Sequence, residues 1–342
     1  MNPTHLMQRI RLGEDSTLEL KQITIKDAKN LEPHPDDLSD ELAAMGNASG
    51  GLMVLGVNPD DEQLYAIPLD MLKRLFQQRS QARIVRFEEQ IVPKAHFDDL
   101  DALLLRRFIK PDQGDVMTQL ARLHLIDNRD GEALPTIAGV LLCTLDPSRW
   151  LRNAEILAVA HSGLRNDPNE QLDAQEIRGP LDRQILDAFH FVRRNMITAA
   201  RKPLGRVDYP QYHLGAVFEA IVNAVAHRDY SLHAQRIRLF MFADRLEIHS
   251  PGALPNTLSL ESMSRLSVPR NEILASLFSR YYPVDEVGLG KSYLMDRRGF
   301  GVEMILRESE KISGKCPRYE TISDLELSLT LYAQTLPTAE TP

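Results

Sequence analysis

The segment from Phe218 to His227 is the feature that most constrains this chain. It is apolar except for Glu219, Asn223 and His227, which follow one another at intervals of four residues. Side chains four apart share one face of a helix, so the spacing predicts a helix with a single polar line. Because apolar residues cover its other faces, we expect this helix to be buried nearly all round. Buried carboxylates and amides need partners. Two interpretations follow: ordinary hydrogen bonds to a neighbouring domain, or a pocket for a ligand that brings its own metal ion.

Length and composition predict a globular protein of two or three domains. The chain has 342 residues, of which 43% are hydrophobic and 26% charged. No apolar run reaches the length of a membrane span, and the first residues lack the layout of a signal peptide. Cys143 and Cys316 provide neither a disulfide framework nor a zinc site, so we expect a cytoplasmic protein, and the lack of an apolar span predicts no membrane partner. A net charge of −8 argues against a broad basic nucleic-acid surface but leaves local patches open.

We predict an α/β (α+β) chain, whose first unit covers residues 1–111. A strand is expected over Leu18–Ile25, where apolar and polar residues alternate, and a helix over Asp36–Met45. The glycine-rich segment 46–51 predicts a turn that leads into a buried strand over Leu52–Val57.

Residues 112–171 are predicted to connect two α/β units, either as a winged-helix-like region or as a structural bridge. We expect a helix over Val116–Ile126, then strands over Ile137–Cys143 and Ala154–Ala160. The polar stretch Arg165–Glu170 is the best linker candidate.

Residues 172–335 are predicted to form the third unit, followed by a flexible tail over residues 336–342. In addition to the polar-lined helix, the predicted elements are a long helix over Leu181–Asn195, a hairpin of Arg236–Phe242 with Arg245–His249, helices over 271–280 and 290–298, and strands over 318–322 and 325–331.

Two short motifs follow the polar-lined helix. Gly252, in Ser250-Pro251-Gly252, allows close approach of the backbone to a ligand, although an ordinary turn explains the motif equally well. Gly288 and Gly290 open a predicted helix, where backbone N–H groups can bind an anion and Lys291 can add charge.

The order of these motifs resembles the GHKL ATPases, and the run Glu219 to Ser231 looks like the divergent GHKL domain of bacterial ATP-binding proteins and transcriptional regulators. The resemblance implies an α/β sandwich that binds ATP and Mg²⁺ and tends to form homo-oligomers. Asn223 would hold the Mg²⁺, and Glu219 would polarise the attacking water as the catalytic residue. Ser250 stands where the typical motif has the aspartate that reads adenine. Gly252 and the set of Gly288, Gly290 and Lys291 would then contact the nucleotide.

The first sixty residues resemble the Schlafen-type AlbA-like domain through Glu14, the Glu19-Leu20-Lys21 sequence and the glycine-rich turn. This family is associated with nucleic-acid binding and, in some Schlafen proteins, with RNA cleavage. Glu14, Glu19 and Lys21 would form a nuclease site, with Asp60 recruited because Asn58 replaces the expected aspartate. The alternative is a solvated, ion-paired edge.

We therefore expect a nucleotide-regulated nucleic-acid-binding protein that acts in transcription regulation or antiviral defence. The first alternative is a metal-dependent ribonuclease or deoxyribonuclease gated by nucleotide. The second is an inactive scaffold.

Overall fold

A computed structural model of the protein describes residues 9–10, 18–22, 24–27, 30–32, 52–57, 86–129, 131–201, 207–254, 258–263, 268–283, 292–295, 299–323 and 325–335. The chain forms two compact units, residues 1–84 and 85–342. The boundary predicted at residue 111 therefore falls inside the second unit. Residues before 111 belong to the second unit because apolar side chains between Val92 and Phe108 pack into its core.

In the first unit, β1 (Leu18–Lys21) pairs in parallel with β4 (Leu52–Leu55), and both lie within predicted strands. Between them along the chain, β2 (Thr24–Asp27) and β3 (Asn30–Glu32) form an antiparallel pair. A small core contains Ile10, Leu18, Leu20 and Val57. The helix predicted over residues 36–45 lies outside the described residues.

The second unit contains both helices and strands. Its helices are α1 (Ala102–Leu105), α2 (Val116–Arg122), α3 (Ile137–Cys143), α4 (Leu181–Asn195), α5 (Leu214–Ala226), α6 (Glu272–Phe278) and α7 (Gly301–Ser313). Its strands are β5 (Ile126–Arg129), β6 (Glu132–Pro135), β7 (Ile156–His161), β8 (Gln171–Ile177), β9 (Thr198–Arg201), β10 (Val207–Pro210), β11 (Ile237–Met241), β12 (Arg245–Pro251), β13 (Arg318–Ile322) and β14 (Glu326–Tyr332).

Six of these strands form one mixed sheet in the order β13-β14-β12-β11-β7-β8. Only the β11–β7 pair within it is parallel, with Ile237 beside Ile156. Helices α4 and α7 pack against α5, and all three contact strands of this sheet. The predicted α+β fold class is confirmed. Among the helices of the described residues, none combines the length and the hydropathy that a membrane span requires.

The loop Arg165–Glu170 is not a linker. It joins β7 to β8, which are antiparallel neighbours in the large sheet, and the Ser162 amide donates to the Glu170 carbonyl at 2.8 Å. Polar composition is typical of linkers and of hairpin loops, so it could not separate the two.

The segment Ile137–Cys143 is the helix α3 rather than a strand. All seven of its residues are buried, so no amphipathic period marks the helix in the sequence. Thr136 decides the outcome locally, because its Oγ1 accepts a hydrogen bond from the Gly139 amide at 3.0 Å and caps the helix.

Two further helix predictions are corrected. α2 ends at Arg122, because the backbone at His124 is left-handed with φ of 56° and Ile126 begins β5. Residues 292–295 form a bend and a bridge from Tyr293 to Pro283 rather than part of a helix over 290–298. The helix of that region starts later, at Gly301.

Candidate functional site

Helix α5 carries Glu219 and Asn223, and His227 follows directly after the helix and completes the polar line. At its start, Nδ1 of His213 accepts a hydrogen bond from the Ala216 amide at 3.1 Å. The helix is buried nearly all round, as predicted, and Glu219 is only 3% exposed. A carboxylate at this depth demands donors or a cation close by, so its surroundings are constrained.

Hydrogen bonds to the carbonyl groups of its last four residues fix the carboxyl end of α5, and the last three of these groups have no backbone partner inside the helix. The pairs are Asn223 O with His227 N at 3.0 Å, Ala224 O with Ser250 Oγ at 2.9 Å, Val225 O with the Tyr230 hydroxyl at 3.0 Å, and Ala226 O with Asn271 Nδ2 at 2.9 Å. Three of the four donors are side chains, from β12, from the turn after α5 and from the start of α6. The polar line is therefore held in a fixed position.

A cavity of about 130 Å³ lies along this line. Glu219, Asn223 and His227 form one wall, and Ile248 and Leu329 of the sheet form apolar parts of the lining. The space is roughly ten times what a single ordered water needs, so the cavity admits a larger molecule.

The end of β12 reaches the cavity through Ser250 and Gly252. The Ser250 hydroxyl donates its proton to Ala224 O, so towards a ligand its oxygen can only accept. Gly252 has φ of 112°, and a Cβ placed there would lie 2.8 Å from Cβ of Asp229. A glycine is required at this position by both the backbone conformation and the close contact.

The start of α7 approaches the polar line through Gly301. A Cβ at this position would lie 2.3 Å from Oε1 of Glu219 and 3.3 Å from Nδ2 of Asn223. Gly299, with φ of 71°, also lines the cavity. The absence of a side chain at Gly301 thus brings the first turn of a thirteen-residue helix against the carboxylate. Amide groups in such a turn favour negative charge.

Arg270 brings a cation to the cavity. Its Nη1 donates to Oδ2 of Asp229 at 3.2 Å, and its Nη2 donates to the Ala253 carbonyl. Burial lowers the pKa of the Arg270 guanidinium, and the Asp229 charge opposes that change. The Arg270 amide donates to Nδ1 of His227 at 3.3 Å.

His227 is neutral at pH 7. Burial lowers its pKa from 6.5 to about 4, and the Arg270 charge adds to the effect. Because Nδ1 accepts a hydrogen bond, the ring proton resides on Nε2. His227 is therefore a donor from Nε2 rather than a cation.

The structure brings four of the predicted nucleotide-site residues, Glu219, Asn223, Ser250 and Gly252, to one cavity. The other predicted residues of that site are Gly288, Gly290 and Lys291, and they lie outside the described residues. Gly299, Gly301 and Arg270 line the cavity but were not predicted as site residues. Gly299 and Gly301 repeat the Gly-x-Gly pattern directly before an amphipathic helix, and this signal could have identified them.

In the first unit, Nζ of Lys21 lies 2.6 Å from Oε1 of Glu19, so these side chains form the ion pair expected on one strand face. Glu14 and Asp60 lie outside the described residues. Among the described residues, no group of three or more His, Cys, Asp or Glu side chains could hold a metal ion.

Comparisons with known proteins agree with the architecture. Residues 234–331 match an ATPase-like family model described as "Putative ATP-dependent DNA helicase recG C-terminal". The DIP2311 protein from Corynebacterium diphtheriae shares the fold, with a TM-score of 0.53 and 17% identity over 97% of this chain and 80% of that protein. No curated protein matches the chain.

The matched residues include Ser250, Gly252 and the start of α7 but begin after α5. The position of Glu219 and Asn223 at the same cavity is therefore a finding of the tertiary structure, independent of the family match.

Proposed function

We propose that the cavity binds ATP with Mg²⁺, and that nucleotide occupancy regulates nucleic-acid binding by this protein. The observation that carries the proposal is the approach of Gly301 to Glu219 and Asn223. It joins a helix amino terminus, suited to phosphate, with an amide oxygen suited to Mg²⁺. The match of residues 234–331 to an ATPase-like family supports the same assignment.

The residues present fit a magnesium–nucleotide complex. Mg²⁺ keeps several waters and takes few protein ligands, so Asn223 with phosphate oxygens would suffice. The bound complex would supply a phosphate made electrophilic by the metal. Glu219, buried beside the amino end of α7, would orient a water and accept its proton. Arg270 would add positive charge at the cavity wall.

Ser250 favours adenine over guanine. Its hydroxyl proton is donated to Ala224 O, so its oxygen can accept from the exocyclic amine of adenine but has no proton for the guanine carbonyl. A typical aspartate at this place would also only accept. The departure from the usual motif therefore preserves the direction of the hydrogen bond.

The resemblance of the N-terminal residues to AlbA-like domains supports the second part of the proposal, which is that the regulated activity is nucleic-acid binding. A homo-oligomer and a role in transcription regulation or antiviral defence belong to the same proposal.

The proposal is tested by thermal unfolding of the full chain with Mg²⁺ and ATP or GTP. At one hundred times Kd, a ligand that binds the folded state adds about 2.7 kcal/mol to the free energy of unfolding. We expect such a rise with ATP, a smaller one with GTP, and none with ATP for Asn223→Ala. Glu219→Gln should retain the rise but lose phosphate release.

Asn166→Ala is the matched control, because Asn166 is exposed in the β7–β8 loop. An unchanged unfolding temperature with every nucleotide would overturn the proposal, as would an equal loss of the ATP effect in the control.

A further inference from the structure

A second cavity, of about 610 Å³, adjoins the first. His227 and Met295 line both cavities. The second cavity lies among the amino end of the unit, the end of α2 and one side of α6. The proposed binding of ATP does not involve this second cavity.

The second cavity is positively charged in a chain whose net charge is −8. Its described lining includes Arg86, Arg122 and Arg280 against one carboxylate, Glu272. Arg86 forms ion pairs with Glu272 and with Glu89. Arg122 and Arg280 are exposed and form no ion pair with any residue that the structure describes. The cavity therefore offers cationic side chains that its own acids do not neutralise.

The exposure of these arginines and their origin in separate elements favour one class of ligand. A single exposed charge pair is weak because water and salt screen it, so one small anion would gain little here. A strand with regularly spaced phosphates gains at each contact by releasing counterions. The arginines come from three separate elements: one precedes Phe87–Glu89, one ends α2 and one follows α6.

His124 adds a surface for a base. Its side chain is 50% exposed at this cavity, and its backbone is left-handed with φ of 56°. Exposed aromatic rings beside a cationic groove stack the bases of single strands. We propose that the second cavity is a binding groove for the phosphodiester backbone of a single-stranded nucleic acid.

The wall between the two cavities provides a physical link between their ligands. Val268 and Arg270 line the first cavity, whereas Pro269 and Glu272 line the second. His227 lines both and accepts a hydrogen bond from the Arg270 amide. A ligand that contacts Arg270 would therefore touch the same segment that forms the wall of the groove. The inference of strand binding depends only on the residues of the groove. The coupling of strand binding to ATP rests on the proposed function.

The test is fluorescence anisotropy of labelled single-stranded DNA, single-stranded RNA and duplex DNA with the full chain over a series of salt concentrations. For single strands the slope of log K against log salt changes by about 0.7 for each phosphate contact removed. The double variant Arg122→Ala/Arg280→Ala should weaken strand binding and reduce the slope by about 1.4. The matched control, Arg152→Ala/Arg193→Ala, removes two exposed arginines that do not line the groove and should bind as the parent does.

An unchanged slope in the groove variant would overturn the proposal, because the strand would then bind elsewhere. No binding of any strand at low salt, or equal loss in both double variants, would also overturn it. Competition by inorganic phosphate at low millimolar concentration would identify a small-anion site instead. The ATP-dependent unfolding shift, measured on the same variants, separates this inference from the proposed function. The proposal of a strand-binding groove is supported if strands bind there even when ATP does not change the unfolding temperature.

Discussion

At the level of single residues, the absence of a side chain at Gly301 is as informative as the charges around it. The helix α7 can touch the buried carboxylate of Glu219 only because no Cβ intervenes. Gly252 has the same role beside Asp229 and Arg270. Both glycines let the backbone approach these polar side chains more closely than a residue with a Cβ could.

Gly301→Ala tests this role. The added methyl group would contact Oε1 of Glu219 and Nδ2 of Asn223, and such overpacking typically costs about 1–3 kcal/mol. We expect ATP affinity, measured by isothermal titration calorimetry, to fall by roughly tenfold or more. Glu303→Ala changes an exposed residue in the same helical turn and should leave the affinity unchanged. Equal ATP affinities for Gly301→Ala and the parent would show that Gly301 does not contribute to the site.

At the level of secondary-structure elements, α6 is tied to a segment far away in the chain by a buried acid. The Glu88 carboxylate, 2% exposed, accepts hydrogen bonds from the amides of Ile273 at 2.7 Å and Leu274 at 3.4 Å. These amides begin α6, and Asn271 just before them donates to the end of α5. The segment Phe87–Glu89 therefore helps to position the wall between the two cavities.

Glu88 makes stability depend on pH. Burial raises its pKa from 4.5 to about 7, although the two amide hydrogen bonds oppose the change. Between these values the folded state binds more protons than the unfolded state, so this contribution to stability falls as pH rises from 4.5 through 7. The lowered pKa of His227 has the opposite effect, because it makes stability rise with pH between pH 4 and 6.5. A variant of Glu88 is therefore needed to isolate its contribution.

The prediction is tested by measuring the free energy of unfolding in urea for the parent and for Glu88→Gln over this pH range. Between pH 4.5 and 7, the parent should lose stability relative to the variant by on the order of 3 kcal/mol. Glu303→Gln removes an exposed carboxylate from α7 and is the control, so its stability curve should follow that of the parent. Parallel stability curves for the parent and Glu88→Gln would contradict the assigned pKa.

At the level of the whole molecule, the large unit has an apolar core of its own. That core extends from Val92 to Leu331 and includes side chains from α3, α4, α5 and the six-stranded sheet. The proposed ATP cavity is lined by described residues between Glu219 and Leu329, all within this unit. Nucleotide binding should therefore require residues 85–342 alone.

A chain of residues 85–342 is expected to unfold cooperatively and to show the same ATP-dependent rise in unfolding temperature as the full chain. Circular dichroism and differential scanning fluorimetry provide the two measurements, and Asn223→Ala in the shorter chain serves as the control. Strand binding at the groove should also be retained. A shorter chain that fails to fold would contradict the independence of this unit.

Local pattern was sufficient wherever periodicity or spacing carried the signal. The bounds Leu181–Asn195 of α4 could be predicted from its amphipathic period, and the β11–β12 hairpin from its alternation and short turn. The polar line on α5 is likewise visible because intervals of four residues specify one helical face. These properties depend on neighbours a few residues apart.

Long-range packing settled what local pattern left open. Ile137–Cys143 is a helix capped by Thr136, and the sequence did not reveal it because burial on every side leaves no amphipathic period. Gly301 became part of the site because α7 packs against α5, whereas the earlier Gly-x-Gly resembled it equally well in sequence. The sequence contained the chemistry of Glu219 and Asn223. Their cavity arose from contacts between residues that lie far apart along the chain, and local periodicity carries no information about such contacts.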